Sequence, residues 1–104
     1  MTQTTFTVYE TEDVSIICND IRNEKNFDEP YWERIGGNGE LCNLTPIEGK
    51  YGLKTDPPCL TILDVQMSDS GDYYCCIKSS KPPVKTIVKR EKAHLIIKKS
   101  KHIL

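Results

Sequence analysis

Five cysteines stand at positions 18, 42, 59, 75 and 76 of a 104-residue chain. Thiols can bind metal, attack an electrophile, or cross-link. Metal binding needs clustered ligands, and no C-x-x-C pair occurs. Cys75 and Cys76 are adjacent, and His94 and His102 lie far from any cysteine group. Attack needs an activating base in a recognisable setting, and no nucleophile elbow, H-E-x-x-H or P-loop is present. The Gly36-Gly37-Asn38-Gly39 cluster could cradle phosphate only if a helix began after it. The next residues are Glu40-Leu41-Cys42-Asn43-Leu44, a short strand-like run. We therefore expect no enzyme, no metal and no cofactor. Cross-linking remains, and so many cysteines in so short a chain point to an oxidising compartment. Asn43-Leu44-Thr45 is an N-glycosylation acceptor in form, which fits that compartment.

The elements that must position these cysteines read as strands. In Val14-Ser15-Ile16-Ile17-Cys18 the alternation sends Val14, Ile16 and Cys18 to one face and Ile17 to the other. Tyr31 to Ile35 carries Trp32 inward. The Asn/Gly cluster after it makes a tight hairpin turn. Pro46 to Pro58 is irregular, with Tyr51 to Lys54 as a possible short strand. Cys59 to Leu63 comes next. Ser68 to Gly71 is a corner of turn residues. The next strand, Asp72 to Ser79, has Tyr73, Cys75 and Ile77 inward. A last strand falls within Thr86 to Lys99, with Leu95 and Ile97 toward the core. Thr5 to Tyr9 reads as a first edge strand. The length suits a single domain over 1–104, with its core at about 5–99 and a tail or stalk at 100–104. Seven or eight short strands with turns between them predict an all-β, antiparallel two-sheet sandwich.

A Cys, a Trp fourteen residues later, and the segment Asp69-Ser70-Gly71-Asp72-Tyr73-Tyr74-Cys75 together resemble the immunoglobulin superfamily. The resemblance spans roughly Val8 to Lys99. It implies a Greek-key sandwich bridged by Cys18–Cys75, with Trp32 packed on the bridge. It also implies that Tyr73 closes the corner beside Asp69 and Gly71. A basic residue, Lys50 or Lys54, would pair Asp69. The spacing from Trp32 to Leu60 leaves room for one extra edge strand, so an intermediate (I-set) or shortened variable (V-set) type is expected. Lys89-Arg90-Glu91-Lys92 replaces the F-G-x-G of antigen receptors. Of the remaining cysteines, Cys42–Cys59 is the favoured second bridge and Cys42–Cys76 its rival. Under the first pairing Cys76 is an exposed thiol, open to a dimer bridge.

The charge is unevenly divided. Residues 1–77 hold five Lys/Arg and fourteen Asp/Glu, a net of −9, whereas residues 78–104 hold nine and one, a net of +8. Three functional expectations arise. The resemblance implies an extracellular recognition module of a cell-surface immune or adhesion receptor, binding a protein ligand or a second copy of itself. Its contacts would come from loops at Asn23 to Glu29 and at Ser79 to Lys85, with Ser79, Lys81, Pro82 and Pro83, or from the Trp-strand face at Tyr31, Glu33, Tyr74 and Cys76. The alternative is binding of a sulfated glycan or a membrane surface by the basic C-terminal segment, or a spacer role. No nucleic acid is expected as a partner. No apolar run approaches the ~20 residues needed to span a membrane.

Overall fold

Alternating apolar residues, broken by Asn, Gly and Pro, leave each segment with one face to bury. Two sheets stacked on those faces bury them all. A computed structural model shows this arrangement and describes residues 3–18, 30–36, 39–55, 58–78 and 87–99. The strands are β1 (Gln3–Tyr9), β2 (Val14–Ile17), β3 (Tyr31–Ile35), β4 (Leu41–Leu44), β5 (Tyr51–Thr55), β6 (Pro58–Ile62), β7 (Gly71–Lys78) and β8 (Ile87–Lys98). A five-stranded sheet runs β1-β8-β7-β3-β4, and a three-stranded sheet runs β2-β6-β5. Among the described residues, all strand pairings are antiparallel except one. β1 lies parallel to β8, with Gln3 opposite Lys92 and Tyr9 opposite Lys98.

The core is the set of inward positions. Ile16, Leu60, Ile62, Val65, Tyr73 and Leu95 are fully buried, joined by Trp32 and Ile77. Phe6, Val8, Leu44, Tyr51 and Leu53 pack against them. Cys18 and Cys75 form the inter-sheet disulfide across a Cα–Cα distance of 6.2 Å. Ile17 and Ile96 point outward and are exposed, as strict alternation requires. The Leu95-Ile96-Ile97 run, ambiguous in sequence, thus keeps a two-residue period.

The corner after β6 ends in a short 3-10 turn, Met67–Asp69. The Tyr73 hydroxyl donates to the Asp69 carbonyl at 2.5 Å. The Asp69 carboxylate accepts from the Gln66 backbone N–H at 2.8 Å and pairs the Lys50 ammonium at 2.6 Å. Arg34 stands 3.9 Å from the same carboxylate and donates to the Ser68 carbonyl. Of the two lysines considered for Asp69, the chain uses Lys50. The turn between β3 and β4 closes with the Gly36 N–H on the Glu40 carbonyl, and Gly39 takes φ +82°, a conformation suited to glycine.

Candidate functional site

The β3–β7–β8 register lines up a second set of side chains on the far side of the five-stranded sheet. Glu33 sits opposite Tyr74, and Tyr31 opposite Cys76. Tyr74 sits opposite Lys92, Cys76 opposite Arg90, and Asp72 opposite His94. Asn43 extends the row beyond Glu33 onto β4. These positions alternate with Trp32, Tyr73, Cys75 and Leu95, so they form the outer face. Neighbouring strands are about 4.8 Å apart, which places such side chains within reach of one another.

The outer face is not a bare solvated surface. Tyr74 and Glu33 are each 8% exposed, and Cys76 is 0% exposed. Long side chains lie flat over them. The Arg90 guanidinium stacks 4.0 Å from the centre of the Tyr74 ring, and the Lys78 ammonium is 5.3 Å from that of Tyr31. Such contacts contribute about 0.5–1 kcal/mol each at exposed sites and more when desolvated. Arg90 also approaches a Glu33 carboxylate oxygen at 3.6 Å, and the Cys76 thiol donates to that same oxygen at 3.4 Å. At the other end of the face, His94 Nδ1 is 2.7 Å from Asp72, and Lys92 is 3.5 Å from its second oxygen.

Burial and charge set the acidities. Burial, then the adjacent Glu33 carboxylate, pushes the Cys76 thiol up to about 12. Burial, with Cys76 and Glu33 beside it, pushes Tyr31 up to about 12 as well. The Asp72 carboxyl is lowered by its hydrogen bond with His94, with Lys92 adding to the effect. At the corner on the inner side, burial raises Tyr73, opposed by Arg34.

Two expectations about the cysteines are overturned. Cys76 faces outward but is buried beneath its neighbours, so it is not an exposed thiol ready to bridge two copies. Pointing away from the core is not the same as reaching water when an arginine and a tyrosine lie across the face. The second bridge, Cys42–Cys59, is not formed either, and both residues are free thiols. Cys59 alternates with buried Pro58, Leu60 and Ile62, so it faces away from the other sheet, opposite Ile17. Cys42 is exposed on β4, in the other sheet. The rival Cys42–Cys76 pairing is barred as well. β3 lies between the two strands, and the two residues fall on opposite faces.

The three free thiols should differ in reactivity, because the thiolate is the nucleophile. In native protein, Cys42 is expected to react fast with a maleimide and Cys59 more slowly. Cys76 should resist until denaturant is added. Peptide mapping of a time course checks the order, and early labelling of Cys76 would contradict its burial.

Tyr31, Glu33 and Tyr74 are thus brought together, whereas Ser79, Lys81, Pro82, Pro83 and the loop at Asn23 to Glu29 lie outside the described residues. Arg90, Lys92, His94, Asp72 and Lys78 complete the face and are absent from the protein contacts expected from sequence, although all but Asp72 fall in the basic C-terminal segment. Counting back in twos from inward Leu95 places Ala93 and Glu91 inside and His94, Lys92 and Arg90 outside, and that signal could have found three of them. Among the described residues, no three His, Cys, Asp or Glu side chains converge on a metal site, and no helix is long and apolar enough to cross a membrane.

No protein-family model matches this sequence, and no curated protein matches it. Solved structures do match in shape. One is a chain from the structure addressing T cell specificity and activation by the bacterial superantigen toxic shock syndrome toxin-1. It has a TM-score of 0.75 at 18% identity, covering 90% of this chain and 92% of that one. Another is the NK cell receptor NKp44, a triggering partner in natural cytotoxicity, with a TM-score of 0.72 at 15% identity. It covers 94% of this chain and all (100%) of that one. Drosophila Semaphorin 2a matches at a TM-score of 0.67 and 14% identity, and there 95% of this chain spans only 15% of the longer protein. With its bridged sheets and its tyrosine closing the corner, the chain has the immunoglobulin-like all-β sandwich fold that it shares with NKp44 and the chain from the superantigen study.

Proposed function

We propose that the domain is a non-catalytic, extracellular recognition module of an immune-type or adhesion receptor, binding a protein through the outer face of its five-stranded sheet. Similarity in shape to NKp44, a receptor, supports the class of molecule. The first strand joins the last, and one strand stands beyond β3 in that sheet. This fits an intermediate or shortened variable-type domain.

The observation that carries the reading is the self-paired charge on the face. Arg90 is engaged by Glu33 and Tyr74, and Lys92 and His94 are engaged by Asp72. Arg90 and Lys92, already matched by neighbouring acids, offer a polyanion little net attraction. Arg90, held in place on the buried Tyr74 ring, and the half-buried Tyr31 offer a protein partner rigid contact area at low entropic cost. The sulfated-glycan reading is supported only by the overall basic bias of the C-terminal segment.

A panel of recombinant ectodomains, probed with the multimerised domain, tests the proposal. Against any binder found, Tyr74→Ala or Arg90→Ala should weaken affinity roughly 30-fold, the scale of a hot-spot residue. Lys54→Ala, on the opposite sheet, should leave affinity unchanged. Binding that survives both face variants would overturn the assignment of the surface. Retention on heparin at physiological salt, lost in Lys92→Glu, would favour the glycan reading instead.

A further inference from the structure

The acceptor triplet Asn43-Leu44-Thr45 lies at the rim of the proposed recognition surface, where the fold gives it a defined position. Asn43 lies on β4, which among the described residues pairs only with β3 and so stands at an edge of the five-stranded sheet. Opposite Glu33 in register, its side chain projects on the outer face and is exposed, as is Thr45. The strand is short and carries neither charge nor proline, the usual guards of an edge. It exposes Leu41, 46% accessible, and the free thiol of Cys42. An unpaired row of backbone groups beside an exposed isobutyl group and a thiol is a template for a second chain.

We infer that Asn43 is N-glycosylated and that the glycan guards this edge. The bond formed joins Asn43 Nδ2 to the anomeric carbon of an oligosaccharide. The bond broken is that carbon's link to the pyrophosphate of a lipid-carried donor, which leaves with the electron pair. The amide nitrogen gives up one proton to the transferase. A hydrated glycan on Asn43 covers Leu41, two residues away on the same face, and blocks approach along β4. It also confines a partner's footprint to the β7–β8 half of the sheet. Pro46 follows Thr45 directly and restricts its backbone, which slows transfer. A mixture of glycosylated and bare chains is therefore the expected product.

The inference rests on the extracellular reading, and its test separates the two. The domain is secreted from a glycosylating host, its intact mass is measured before and after enzymatic deglycosylation, and the Cys18–Cys75 link is mapped in the same sample. A glycan mass at Asn43, absent from Thr45→Ala, is expected. A secreted, bridged chain with Asn43 wholly bare would overturn the glycan while leaving the extracellular reading intact. A chain without the bridge would overturn the extracellular reading. Sedimentation and non-reducing gels then compare the fractions. Glycosylated protein should be monomeric. The bare fraction and Thr45→Ala should self-associate, with a Cys42–Cys42 dimer that Cys42→Ser abolishes and Leu41→Lys reduces. Bare protein as monomeric as the glycosylated form would overturn the guarding role.

Discussion

Removing the inter-sheet bridge by Cys18→Ala/Cys75→Ala should cost about 4 kcal/mol, from the entropy returned to the unfolded chain when a loop of this length is opened. The bridged residues are 57 apart in sequence. Domains of this size have about 5–15 kcal/mol in all. The variant should therefore melt about 15–30 °C lower, with a large share of molecules unfolded at physiological temperature. Both cysteines are nearly inaccessible, and Trp32 belongs to the same buried cluster. Loss of packing thus adds to loss of the cross-link. Urea denaturation monitored by Trp32 fluorescence gives the number. A midpoint within experimental error of the parent would show that the two sheets hold together without the bridge. Cys76→Ala is the informative control. It removes a buried thiol from the outer face, and should cost only about 1 kcal/mol.

The second large effect is expected at the corner. Asp69→Ala should destabilise by about 3 kcal/mol. It strips the Lys50 ammonium of its partner at 2.6 Å and leaves the Gln66 N–H, 2.8 Å from the carboxylate, without its acceptor. Breaking one side of a buried pair costs about 3–5 kcal/mol, and the partial exposure of Lys50 argues for the low end. Lys50→Ala alone should cost less, because Asp69 keeps its backbone hydrogen bond and has Arg34 nearby. The double variant should be less destabilised than the sum of the two, with a coupling of about 1 kcal/mol. Full additivity would mean that the pair contributes nothing. Tyr73→Phe, which removes the hydroxyl but keeps the ring, isolates the other half of the corner.

How far the fold can be read from the chain depends on alternation. Val14, Ile16 and Cys18 on one face, with Ile17 on the other, follow from a period of two, and the sandwich follows from eight such strands. The same rule, applied to Cys59, excludes the Cys42–Cys59 bridge, since Leu60 and Ile62 point inward. Cys76 shows where the rule stops. Alternation gives a direction, while burial depends on what neighbouring strands lay across that direction. The cover over Cys76 comes from Arg90 on β8 and Tyr31 on β3, which are distant in sequence and meet only through register. The parallel pairing of β1 with β8 is equally invisible. Thr5 to Tyr9 alternates weakly, and no local signal names a partner more than eighty residues away. Sequence leaves two lysines as candidates for Asp69, and only the turn from Ile47 to Tyr51 decides that Lys50 reaches the corner.

The parallel pairing of β1 with β8 also has a mechanical meaning. Gln3 lies beside Lys92 at one pole of the sandwich, and Tyr9 beside Lys98 at the other. Tension entering through the start of β1 and leaving through the end of β8 pulls the two strands along their own length in opposite directions. Every rung between them then carries load at once, instead of parting one after another as in a zipper. Stretched from those two poles, the domain resists rupture in shear.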